Sequence, residues 1–125
     1  MFFRIFFIFS LLFLIFNCSN NQEKLIEGQA LITPENQYID AMSKFDNKQF
    51  DEAVVIFKNI EKIYPLSNEA IQSQIMMGFI DYLNLNYDSA ILKFTKLIQK
   101  YPSLKNIDYV YYMKALCYYE QISHE

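Results

Sequence analysis

From Glu35 onward the apolar residues recur at helical spacing. Tyr38, Ala41, Met42 and Phe45 fall on one face at steps of three and four, the mark of an amphipathic helix. Asn47-Lys48-Gln49 interrupts that stripe, and a second helix starts at Phe50. It carries Ala53, Val54, Phe57, Ile60 and Ile63 on one side and stops at Pro65. A proline pushes the residue before it out of the helical region, so Tyr64 is the predicted last position. Ser67 is the predicted N-cap of a third helix running to about Leu85. The chain turns at Asn84-Leu85-Asn86, and a fourth helix runs to Tyr101. Ser103 to Asn106 turns it again, and Asp108 opens a fifth helix that reaches about Ser123.

Two of these helices repeat each other. Phe50-Asp-Glu-Ala53-x-x-x-Phe57 ends on Tyr64-Pro65, and Tyr87-Asp-Ser-Ala90-x-x-x-Phe94 ends on Tyr101-Pro102, a step of 37 residues. The helices between them keep the step: Ala41, Gly78 and Ala115; Tyr38, Ile75 and Tyr112; Phe45, Tyr82 and Tyr119. Ala-x-x-x-Phe before a Pro is the second half of a tetratricopeptide unit, and a period of this size marks a stacked helical array. The predicted fold is all-α, with about two and a half repeats of antiparallel helix pairs. The small residues at 41, 78 and 115 would lie where the second helix of each pair crosses, facing Ala53 and Ala90. Ala53, Phe57, Ala90 and Phe94 read as packing residues.

The fifth helix is apolar almost all round, which suits a helix buried between neighbours. A terminal repeat normally carries a polar outer face. The expectation is that the chain is part of a longer one, or that another chain covers this helix; we read it as the former.

Residues 1–17 stand apart from the array. Arg4 precedes Ile5–Phe16, twelve residues that are all apolar except Ser10. That is short for a hydrocarbon core of about 30 Å and has the length of a signal-peptide core. The run ends at Asn17-Cys18 and turns polar at once with Ser-Asn-Asn-Gln. This resembles the lipobox of bacterial lipoproteins, although Asn17 stands where that family prefers Gly, Ala or Ser. The resemblance implies a lipid-modified Cys18 as the mature N-terminus. It also implies anchoring at the outer membrane, facing the periplasm, because Ser19 is not the Asp that retains such proteins at the inner membrane. Residues 18–34 then form a polar tether. Residues 35–125 form the array, with repeats at about 35–66 and 68–103 and a half repeat at 107–123.

Composition narrows the function. With 53% hydrophobic and 18% aromatic residues, the chain is too apolar to be a disordered one. Eleven basic side chains face 14 acidic ones, without a basic cluster, which argues against a nucleic-acid partner. No nucleotide, hydrolase or metalloprotease motif appears, so neither enzymatic activity, nor a cofactor, nor a metal site is expected. His124 has no second ligand near it in sequence. Cys117 lies inside an apolar helix and reads as a small hydrophobe.

Several segments resemble the BamD-type outer-membrane protein assembly lipoproteins. They are Tyr38-Ile-Asp-Ala-Met42, Tyr64-Pro-Leu-Ser67, Tyr87-Asp-Ser-Ala-Ile91 and Tyr101-Pro102. The most distinctive is Asp108-Tyr-Val-Tyr-Tyr-Met-Lys-Ala-Leu-Cys-Tyr-Tyr-Glu-Gln-Ile122. The resemblance covers about residues 36 to 124 and corresponds to the family's N-terminal half. It implies a non-enzymatic scaffold of the β-barrel assembly machinery. Its implied partners are the β-barrel assembly subunit, its accessory lipoproteins, unfolded outer-membrane protein segments, and the membrane through the lipid anchor. In such arrays the first helix of each pair lines a concave groove. Tyr38, Met42, Ile75, Phe79, Tyr82 and Tyr112 are the residues expected near it, suited to an extended segment ending in an aromatic. The alternatives are a repeat lipoprotein serving other envelope or peptidoglycan machinery, and an enzyme whose catalytic domain lies elsewhere in a longer chain.

Overall fold

The computed structural model describes residues 32–123. Cys18, residues 1–17, most of the tether and His124 lie outside the described residues. The described residues hold five helices and no strand: α1 Pro34–Asp46, α2 Phe50–Ile63, α3 Asn68–Leu83, α4 Tyr87–Lys100 and α5 Ile107–Ser123. Each helix packs on the next, and α1 also meets α3 while α3 meets α5. First helices that touch their own partner and each other give the stacking of a tetratricopeptide array.

Local chemistry sets the helix ends, and it recurs at the 37-residue step. Pro34 opens α1, where its missing N–H is no loss. Ser67 caps α3 as expected: its Oγ accepts the Ala70 N–H at 3.0 Å. α2 and α4 have no side-chain cap at Gln49 and Asn86, but Asp51, Glu52 and Asp88 in their first turns complement the positive end of the helix. Both end the same way. The N–H of Tyr64 bonds Ile60 O and that of Tyr101 bonds Leu97 O, each just before a proline.

The turns after α1 and α3 are Schellman motifs. Gln49 N bonds Lys44 O and Lys48 N bonds Phe45 O; Asn86 N bonds Asp81 O and Leu85 N bonds Tyr82 O. That pair of bonds needs a left-handed residue, usually glycine, just past the helix. Lys48 and Leu85 fill it here, both at φ 63°.

The core has two parts that echo each other. One holds Ala41, Ala53, Phe57, Ile60, Ala70, Met77 and Ile80. The other holds Ile75, Ala90, Phe94, Leu97, Val110, Met113 and Cys117. Ala53 matches Ala90, Phe57 matches Phe94 and Ile60 matches Leu97 at the repeat step, all buried. Burying each phenylalanine contributes about 1.5–3 kcal/mol. Gly78 lies under Phe94, so α3 and α4 cross closely there. Ala115 differs from its counterparts: it is exposed, because among the described residues no helix lies over that side of α5.

Candidate peptide-binding face

The six residues expected to line a groove do not share one environment. Tyr38 is half-buried on α1, its ring 5.6 Å from Phe57. Burial, and then the Glu69 carboxylate, push its phenol pKa above the ordinary value. Met42 packs partly against the same core. Both still border an open depression on α1, together with Ile39, Ser43, Asp46 and Asn47. Ile75 is only 5% exposed and belongs to the second core. It faces the elements that carry Ala90, Phe94 and Val110, so it is a packing residue and offers no surface for a ligand.

Phe79 and Tyr82 take part in a continuous row of rings. Phe50 lies 5.4 Å from Phe45, Phe45 5.9 Å from Phe79, Phe79 6.2 Å from Tyr82, and Tyr82 5.8 Å from Tyr87. The row crosses both repeats on the side of the two Schellman turns, and every ring in it is partly exposed. Offset and tilted ring contacts of this kind each contribute about 0.5–1.5 kcal/mol beyond burial. Sequence reasoning missed Phe50 and Tyr87 as members, although each opens the second helix of its pair at the repeat step. Tyr112, by contrast, stands on α5 with 60% of its surface exposed.

Polar ties fix the hairpins from which these rings project. Lys44 donates to Glu52 at 2.8 Å across the first pair. At the matching positions of the second pair, Ser89 Oγ donates to Asp81 at 2.6 Å. Lys93 Nζ also donates to Asp81, and to Ser89 Oγ at 3.0 Å. Gln121 Nε2 bonds Asp88 at 2.7 Å and ties α5 to α4. Burial, followed by Glu120, raises the pKa of Tyr82 and of Tyr87 above the ordinary phenol value.

This arrangement can hold an apolar or aromatic segment by packing and hydrogen bonds. The chemistry for bond-making is thin. Cys117 is buried, and burial raises its thiol pKa, the opposite of an activated nucleophile. Among the described residues no cluster of His, Cys, Asp and Glu could hold a metal, and no helix is long and apolar enough to cross a membrane.

The family model "YfiO: Outer membrane lipoprotein" matches residues 32–125, which include all five helices. The chain is 33% identical over 85 residues to the outer membrane protein assembly factor BamD of Caulobacter vibrioides, covering 68% of this chain and 28% of that protein. It is 29% identical over 86 residues to the BamD of Rickettsia prowazekii, covering 69% and 34%. It is 24% identical over 87 residues to the BamD of Neisseria gonorrhoeae, covering 70% and 33%. The chain thus spans about a third of the length of these relatives. A family match over residues 32–125, which take in the five-helix array, together with 33% identity over 85 residues to an assembly factor, places this chain in the YfiO/BamD family of outer membrane lipoproteins.

Proposed function

We propose that this chain is the N-terminal repeat scaffold of an outer membrane protein assembly factor, anchored by lipid on Cys18 to the periplasmic face of the outer membrane. The observation that carries the reading is the match of residues 32–125 to the family, with 33% identity to an assembly factor. The twelve-residue apolar run ending at Cys18 supports the anchor. One acyl chain binds a membrane marginally and two signals bind it stably, so a multiply acylated Cys18 would hold the scaffold in place. The scaffold works by binding. It joins the β-barrel assembly subunit and its accessory lipoproteins, and it receives unfolded outer-membrane protein segments. Tyr38 and Met42 beside the α1 depression, Phe79 and Tyr82 in the ring row, and Tyr112 on α5 are the proposed contacts for such segments. The segment best suited ends in an aromatic residue that extends the ring row, with its backbone meeting phenol hydroxyls.

Depleting the protein that carries this chain, in its own cell, tests the role. Folded β-barrel proteins should fall in the outer membrane while their unfolded forms accumulate. Unchanged barrel levels after depletion would overturn the proposal. The anchor has a separate test, since mass spectrometry of the mature N-terminus should find acylated Cys18, and an intact Met1 would remove that part.

A further inference from the structure

The turns that follow α2 and α4 gather on one edge of the array. Antiparallel packing brings the ends of α2 and α4 together with the beginnings of α1, α3 and α5. Asn59, near the end of α2, donates to Gln37 in the first turn of α1 at 3.4 Å. The Tyr101 hydroxyl, bonded to Lys100, and then the Glu61 carboxylate of α2 raise the Lys100 pKa, so the last turns of α2 and α4 are neighbours. The turn after α2 carries Leu66, 97% exposed and the most exposed large apolar side chain among the described residues. Ile63 and Pro65 beside it are exposed too. The fold does not ask for this leucine. At the repeat step its place is taken by Ser103, also exposed, while the apolar residue of that turn, Leu104, packs on the second core.

The surroundings of Leu66 indicate what it meets. Tyr64 and Tyr101 end α2 and α4 on this edge, and Tyr109 is exposed in the first turn of α5. Tyrosine suits a membrane–water interface, which satisfies its apolar ring and its polar tip together. Lys100 lies over the Tyr101 ring at 5.1 Å, and Lys62 and Lys105 are exposed nearby. On this half of the array Lys58, Lys62, Lys96, Lys100 and Lys105 outnumber Glu35, Glu61, Glu69 and Asp108. On the half with the Schellman turns the balance reverses: Asp46, Asp51, Glu52, Asp81, Asp88 and Glu120 outnumber Lys44, Lys48 and Lys93. A negatively charged lipid surface therefore attracts the first edge and repels the second. The chain also enters the array on the first edge, at Pro34, with only residues 19–33 between that entry and Cys18. We propose that this edge lies on an anionic phospholipid surface, with Leu66 entering the boundary between headgroups and acyl chains and Lys62, Lys100 and Lys105 meeting phosphates. The proposal rests on the Cys18 anchor, which delivers the array to the membrane, and adds which edge faces it.

The mature protein, purified with its lipid from its own membrane, is reconstituted in vesicles of phosphatidylethanolamine and phosphatidylglycerol. Leu66→Cys and Leu85→Cys variants each carry an environment-sensitive fluorophore. Both positions are exposed and lie in turns on opposite edges. Cys117 is buried and stays unlabelled under native conditions, and the lipid blocks Cys18. Lipids brominated in the acyl chain should quench the probe at 66 about threefold more than the probe at 85, since only the first enters the acyl boundary. Exchanging phosphatidylglycerol for phosphatidylcholine should cut that quenching by about half, as the lysines lose their attraction. Equal, weak quenching at 66 and 85 on vesicles that carry the protein would overturn the proposal. So would a probe at 66 that stays in water until a barrel subunit is added, which would give the turn to a protein partner. Protein that fails to float with the vesicles would instead remove the anchor, and this inference with it.

Discussion

Gly78 and Phe94 are in such close contact that a Cβ built on the glycine would stand 2.7 Å from the ring's Cε1. Both residues are buried, so the ring has little room to retreat. Gly78→Ala gains about 1 kcal/mol of helix propensity and meets an overpacking cost of about 1–3 kcal/mol. The repeat tempers that cost, because Ala41 holds the matching place over the first core. The expected net effect is destabilisation by about 1 kcal/mol in denaturant unfolding. Phe94→Leu should rescue part of it, giving a nonzero coupling in a double-mutant cycle. A stabilised Gly78→Ala variant would contradict the packing described.

The two left-handed turn residues should be improvable. Lys48 and Leu85 both sit at φ 63°, where a Cβ costs roughly 1–2 kcal/mol. Glycine removes that cost but loses more chain entropy on folding. Lys48→Gly and Leu85→Gly should each stabilise by about 0.5–1 kcal/mol, the product of these opposed effects. The Lys48 ammonium 6.0 Å from the Phe50 ring centroid is exposed, so its loss subtracts little. A lower urea midpoint in both variants would show that the side chains at these turns matter more than their backbone strain.

Ser73 is fully buried and its Oγ lacks a hydrogen-bond partner. At the repeat step its place is taken by Val110, also buried. A buried hydroxyl without a partner costs about 1–3 kcal/mol. Ser73→Ala should therefore raise stability by about 1 kcal/mol, the lower end because a small void replaces the oxygen. Calorimetry checks the direction. A clear loss would mean that the hydroxyl has found a partner.

Alkaline pH should loosen the array. Burial raises the pKa of Tyr38, Tyr82, Tyr87 and Tyr109 from 10.0, and of Cys117 from 9.0. In each case the folded state holds its proton more tightly than the unfolded one. The resulting stability is fully present below the unfolded pKa and is lost as pH rises through the folded pKa. Unfolding free energy should fall from about pH 9 upward as the unfolded thiol and phenols ionise. Tyr38→Phe should flatten part of that decline. A flat profile to pH 11 would contradict the burial of these groups.

The helices and their period are legible in the sequence because each rests on local chemistry. Ser67 caps α3, Pro65 and Pro102 stop the chain after Tyr64 and Tyr101, and the stripes on α2 and α4 have one apolar face each. The aspect of the first-type helices is much less legible. α3 and α5 carry apolar residues on several sides, so spacing cannot tell Ile75, which is core, from Phe79, which is partly exposed. That distinction comes from packing against α4 and α5. The Schellman turns were hidden because Lys48 and Leu85 occupy positions where glycine is the usual signal. The tie of Asp81 to Ser89 and Lys93 joins two helices, and no local pattern reports such a contact.

The central claim is the assembly role, and purification from the native membrane tests it most directly. The complete natural protein is extracted in mild detergent with an affinity tag, and its companions are identified by mass spectrometry. A β-barrel assembly subunit of the outer membrane should co-purify in near-stoichiometric amount. Recovery of the intact, lipid-anchored protein without any barrel subunit, or with peptidoglycan machinery in its place, would contradict it.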